Sequence, residues 1–286
     1  MLVAAFSGWN DAGEAASGAA TYLGERWGAR PFATLDPEEF FDFSTTRPEI
    51  VRTPELGRQV TWPELGFAAA AVREADRDVV LLTGPEPQLR WRTFATEVVS
   101  LAQDLEIDLV VTLGALAADV AHTSPVGITG TTGVAELADR LGLAPSTYTG
   151  PTGIVGVLGD ALAAADVPAC SLWAAVPHYV AATRSPKATL ALVERAARLV
   201  EVPVVAADLA QLAADYEVRV SQLVAEDEDL AAYVERLEAA GSRRQAETAA
   251  ANPLSEASPE AFAAEVERFL RDQRGGPGPQ GPPSTP

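Results

Sequence analysis

Cysteine, methionine and lysine each occur once in the 286 residues, and histidine twice. A single cysteine, Cys170, excludes an intramolecular disulfide and any site that needs several thiolates. Its place in the apolar run Val167–Trp173 marks it as a core residue rather than a nucleophile. With Lys187 the lone lysine among 21 basic residues, there is no polybasic segment to hold anionic lipid or to act as a basic import signal. The 40 acidic residues leave a net charge of −19, which argues against a nucleic-acid partner, since affinity for phosphate backbones comes mostly from cationic contacts. Two histidines without a carboxylate at ligand spacing give no metal site. Neither a three-glycine dinucleotide fingerprint nor a Walker-type phosphate loop occurs, so no cofactor is expected. Long uncharged runs are broken by Gly, Pro and Thr, so no membrane span is expected. Met1–Phe6 runs into a turn without a basic n-region, so a signal peptide is not expected either, and the cytoplasm is the default address.

What is present is an alternation of short apolar runs with longer helical patterns, the signature of a layered α/β domain. The spacing predicts core strands at Leu2–Phe6, Phe32–Leu35, Val79–Leu82, Leu109–Leu113, Ile154–Leu158 and Ala169–Ala174. It predicts helices at Asp11–Trp27, Leu65–Ala75, Trp91–Leu105, Val134–Leu141 and Pro186–Val200, with a hairpin or edge extension at Val51–Thr53 and Gln59–Trp62. These make a core of residues 1–203 with a parallel or mixed sheet and helices on both faces. Beyond it, Leu209, Tyr216, Leu223, Leu230 and Leu237 recur every seventh residue, so residues 204–272 read as a helical appendage. The run Glu226-Asp227-Glu228-Asp229 is either a solvated face or the break of a helical hairpin. A Ser258-capped helix over Pro259–Asp272 ends the appendage, and the Gly- and Pro-rich residues 273–286 read as a disordered tail.

In open α/β sheets ligands bind beyond the carboxyl ends of the strands, so the strand-exit loops hold the candidate residues. After Phe6 comes Ser7-Gly8-Trp9-Asn10-Asp11-Ala12-Gly13, in which Asn10 or Asp11 caps the next helix or contacts the polar part of a ligand beside Trp9. After Leu82, Glu86 and Arg90 form either a substrate-orienting pair or a rim salt bridge. His122 and His178, the latter beside Tyr179, fall in later exit loops and are candidate general bases, and Thr152 lies in Gly150-Pro151-Thr152-Gly153. Ser7, Ser124 and Ser185 lack the nucleophile-elbow pattern, so no catalytic residue is assigned. From Val120 to Thr183 only 5 of 64 residues are charged, a stretch that reads as buried, as a subunit interface or as the lining of an apolar pocket.

Phe6-Ser7-Gly8-Trp9-Asn10-Asp11-Ala12-Gly13-Glu14-Ala15-Ala16, Gly84-Pro85-Glu86-Pro87 with Arg90-Trp91, Gly150-Pro151-Thr152-Gly153, and Trp173-Ala174-Ala175-Val176-Pro177-His178-Tyr179 with Ser185-Pro186-Lys187 together resemble the proteasome assembly chaperone family, most closely its actinobacterial branch. The resemblance covers roughly residues 1–200. It implies a three-layer α/β/α sandwich similar to purine nucleoside phosphorylases and nucleosidases, assembly into small homo-oligomers, and no established catalytic activity. Some relatives dock through a C-terminal hydrophobic-Tyr-X tail, from which Pro283-Ser284-Thr285-Pro286 departs. Two functions stay open at this point. One is a non-enzymatic, oligomeric, assembly-chaperone-like protein that holds a protein partner through its appendage. The other is a small-molecule hydrolase or transferase, nucleoside-like in substrate, with its pocket at the strand-exit loops.

Overall fold

The computed structural model describes residues 1–251 apart from 54–56, 73–74 and 146–147. The expected helix at 259–272 and the tail lie outside the described residues. Eight strands form one sheet: β1 (Leu2–Ser7), β2 (Arg30–Leu35), β5 (Leu65–Val72), β6 (Arg77–Pro85), β7 (Val110–Ala118), β8 (Ile128–Thr132), β9 (Ala144–Pro145) and β10 (Ala169–Pro177). β3 (Glu49–Thr53) and β4 (Gly57–Thr61) make a separate two-stranded ribbon. The sheet order is β2-β5-β6-β1-β7-β10-β8-β9, with a parallel centre of β6, β1, β7 and β10 and antiparallel pairings of β5 on β6 and β8 on β10.

The period-2 alternation of β1 assigns its two faces to two cores. Val3 and Ala5 pack against α1 (Ala15–Trp27) and α6 (Pro186–Leu199). Leu2, Ala4 and Phe6 pack against α3 (Trp91–Asp104), α5 (Ile154–Ala164) and the short α2 (Pro37–Phe40). The sheet is therefore covered on both sides, as parallel sheets require. α4 (Ala135–Leu141) sits beside β8 and β9.

Two expected elements change type. Of Leu65–Ala75, read as a helix from apolar residues at helical spacing, Leu65–Val72 is strand β5, with Leu65 and Phe67 buried at alternate positions. The β-branched run Ile154–Leu158, read as a strand, opens helix α5, whose buried Ile154, Val155, Leu158 and Leu162 share one helical face. The appendage is a hairpin of α7 (Ala207–Ala225) and α8 (Glu228–Ala251). Asp227 breaks it, its carboxylate accepting the N–H groups of Asp229 and Leu230, both at 3.0 Å, as an N-cap. Tyr216, Val220, Val224, Val234 and Leu237 close a third apolar cluster with Ala121, between the two helices and the exit of β7.

Candidate functional site

The exit loops of β1 and β6 meet the start of α5. Glu86 accepts a hydrogen bond from Asn10 Nδ2 at 3.3 Å and from the backbone N–H of Ile154 at 2.8 Å. A carboxylate at a helix N-terminus is favoured by the unpaired N–H groups and the macrodipole there. The loop after β1 is fixed in turn by its backbone, since Ala115 N donates to Asn10 O at 2.8 Å. Asn10 is only 3% exposed. A Cβ at Gly153 would lie 2.1 Å from Asn10 Nδ2, so glycine there lets the helix start close on this pair. Gly84, at φ +155°, serves the same closeness on the other side, where a Cβ would come 2.2 Å from Glu64 O.

Asp11 caps α1 from outside: its carboxylate accepts from Ala16 N at 2.7 Å, Ser17 N at 3.2 Å and Ser17 Oγ at 2.5 Å. Burial pushes its carboxyl pKa up, against the pull of these hydrogen bonds. Trp9, by contrast, is 63% exposed. Arg90 pairs with Glu39 rather than Glu86, from a left-handed backbone at φ 52° just before α3. Thr152 lies one residue before Gly153, the N-cap of α5. Thus Asn10 and Glu86 are brought together at the start of α5, with Thr152 directly before its N-cap, while Arg90 is directed to a different carboxylate.

The second cluster joins core to appendage. The Tyr179 hydroxyl accepts the backbone N–H of His122 at 2.8 Å and lies 2.8 Å from its Nδ1. His122 Nε2 is 2.9 Å from Ser221 Oγ, whose own hydrogen goes to Glu217 O at 2.9 Å. Ser221 therefore accepts, Nε2 carries the proton, and Tyr179 donates to Nδ1: a neutral imidazole with both nitrogens bonded. Burial lowers the His122 pKa, with Glu217 opposing. Lys187 donates to His122 O at 2.6 Å and pairs with Glu217. His178 stands outside this group, edge-on to Tyr179 and Tyr233, with Nδ1 3.4 Å from Asp119. A void of about 10 Å³, one water in size, adjoins His122, Lys187 and the buried Tyr216.

Sequence reasoning missed Glu217, Ser221 and Tyr233 as partners of the histidines. The available signal was two polar residues four apart, Glu217 and Ser221, bordering the apolar face that carries Tyr216, Val220 and Val224. It also missed an open groove of about 320 Å³ between α1, the start of α6 and α7, lined among others by Glu14, Ser17, Tyr22, Arg184, Thr189 and Leu212. Among the described residues no group of His, Cys, Asp and Glu could hold a metal ion, and no helix is long and apolar enough to cross a membrane.

The PAC2 family pattern matches residues 5–224. The chain belongs to the PAC2 family. A PAC2 family protein of Streptomyces avermitilis MA is 45% identical, with a TM-score of 0.76 over 82% of this chain and 98% of its own. A proteasome-assembly chaperone homologue of Mycobacterium tuberculosis is 43% identical, with a TM-score of 0.74 over 82% of this PAC2 chain and 99% of its own. An archaeal proteasome activator of Pyrococcus furiosus, PbaB, shares the fold at 14% identity, with a TM-score of 0.63 over 78% of this chain and 92% of its own. No curated protein matches.

Proposed function

We propose that this PAC2 protein is a non-catalytic assembly factor that holds a protein client through α7 and α8. The observation that carries the reading is the state of the carboxyl-edge polar residues. Where an enzyme of this architecture presents its chemistry, Asn10, Asp11, Glu86 and His122 are bonded to one another, to helix starts or to the appendage. A group that acts on a substrate needs a free lone pair or proton in reach of it. The phosphorylase-like arrangement of the core is, in this reading, a scaffold for binding, and the protein works as a cytoplasmic homo-oligomer. The name of the mycobacterial relative makes proteasome subunits the first client class to try.

The test is to mix the full chain with purified proteasome α- and β-subunits and follow assembly by native electrophoresis and mass measurement. The expected result is a complex of this chain with unassembled subunits that is absent from the finished particle. Association with neither subunit nor intermediate, together with turnover of nucleosides that is lost in His178→Ala, would replace this reading with the enzymatic one.

A further inference from the structure

The ribbon β3–β4 contributes no residue to the three buried clusters. Its register pairs Ile50 with Val60 and Arg52 with Arg58. Directly opposed residues project to the same face, and so do residues two apart on one strand. One face of the ribbon therefore carries an apolar pair followed toward the tip by a pair of guanidiniums, and all four side chains are exposed, Ile50 at 56% and Val60 at 44%. Among the described residues neither Arg52 nor Arg58 has a carboxylate partner. Like charges placed directly opposite are destabilising, and a two-stranded ribbon by itself is marginal in water. This composition suits a ribbon whose face is covered by an acidic, partly apolar surface.

This chain carries such a surface at the turn between α7 and α8. Glu226, Glu228 and Asp229 are exposed there, and Leu223, one turn earlier, is 59% exposed. Asp227 is taken up by its capping bonds, which hold the turn in place. The two patches sit at different points along the sheet. The ribbon leads into β5, second in the strand order, whereas the appendage packs at the exits of β7 and β10, fifth and sixth. At a net charge of −19, copies of the chain repel one another, so self-association needs a local basic patch.

We propose that the face of the β3–β4 ribbon carrying Ile50, Val60, Arg52 and Arg58 docks on the α7–α8 turn of a second copy of this chain. The contact joins two different patches, so it is made either twice across a two-fold axis, giving a dimer, or once with each of two neighbours, giving a ring or a filament. Self-association of this kind does not depend on which client is held.

The test is the mass of the full chain by sedimentation velocity at micromolar concentration, in low and high salt. The parent is expected to be an oligomer that weakens as salt rises. Arg52→Glu with Arg58→Glu, and separately Glu228→Arg with Asp229→Arg, should each weaken association by about tenfold or more, with unchanged circular dichroism. The chain carrying all four reversals should regain the parental mass, because the charges again match. A monomeric parent, or charge reversals that leave the mass unchanged, overturns the proposal. Two weakened double variants with no recovery in the fourfold variant overturns the α7–α8 turn as the occupant.

Discussion

The Glu86 carboxylate accepts the backbone N–H of Ile154 at 2.8 Å, tying the exit of β6 to the first turn of α5 across 68 positions of sequence. The same oxygen receives Asn10 Nδ2, so one side chain fastens the exits of two neighbouring parallel strands to one helix. Glu86→Ala leaves a part-buried amide and a helix-start N–H without their acceptor, and should lower unfolding stability by about 1–3 kcal/mol. Glu86→Gln keeps an acceptor and loses the charge at the helix start, for a cost of about 0.3–1 kcal/mol. Urea unfolding of the two variants beside the parent measures both, and an alanine variant as stable as the parent would show that the bond contributes nothing.

Gly153→Ala tests the closeness of the same junction. Its Cβ would come 2.1 Å from Asn10 Nδ2 and 2.7 Å from Glu86 Oε1, so the substitution should cost about 1–3 kcal/mol through overpacking. Asn10→Ala removes one of the two obstructing groups. The double variant should then be less destabilised than the sum of the singles, by about 0.5 kcal/mol or more. Strict additivity in a denaturant titration would mean that the two residues do not meet.

Much of this arrangement was legible because the strands and the loops after them follow local rules. Leu2–Phe6 and Val79–Leu82 read as strands from their apolar runs, and their exit loops put Asn10 and Glu86 at one edge before any coordinates. The errors came where neighbours outvote local preference. The alanines of Leu65–Val72 favour a helix on propensity, but pairing with both β2 and β6 holds them extended. Ile-Val-Gly-Val-Leu at 154–158 favours a strand, but the chain continues with Gly-Asp-Ala-Leu-Ala-Ala, whose Leu162 completes a helical face with Ile154, Val155 and Leu158. The partners of His122 were out of reach for a different reason: Ser221 is 99 positions away, and nothing in periodicity says which polar residue of a long helix meets which loop.

Cys170 lies on β10, inside the core between the sheet and α6, and burial pushes its thiol pKa up to about 12. Only the thiolate reacts readily. The folded protein should therefore give no reaction with a disulfide reagent at neutral pH over minutes, and one thiol per chain after unfolding in guanidinium chloride. Rapid labelling of the folded protein would contradict the burial.

His122 gives the fold a sensitivity to acid whose sign follows from its hydrogen bonds. The neutral ring donates from Nε2 to Ser221 and accepts from Tyr179 at Nδ1, so protonation puts a donor where Tyr179 already donates. Burial, the larger effect, and the Lys187 charge lower the folded pKa below 6.5, while Glu217 and Glu238 oppose them. Between the lowered value and 6.5 the unfolded chain binds more protons, so stability rises with pH across that window. The contribution is complete above pH 6.5, is lost as pH falls below it, and changes no further once the folded ring is itself protonated. One proton limits the slope to about 1.4 kcal/mol per pH unit. His122→Gln should be less stable than the parent at neutral pH, and the gap should narrow as pH falls toward the folded pKa. The bond to Ser221 anchors α7, so amide protection factors in that helix, corrected for the intrinsic pH dependence of exchange, should fall in the parent over the same range. Parallel stability curves for parent and variant through that window would mean that the imidazole is not held neutral by these two hydroxyls.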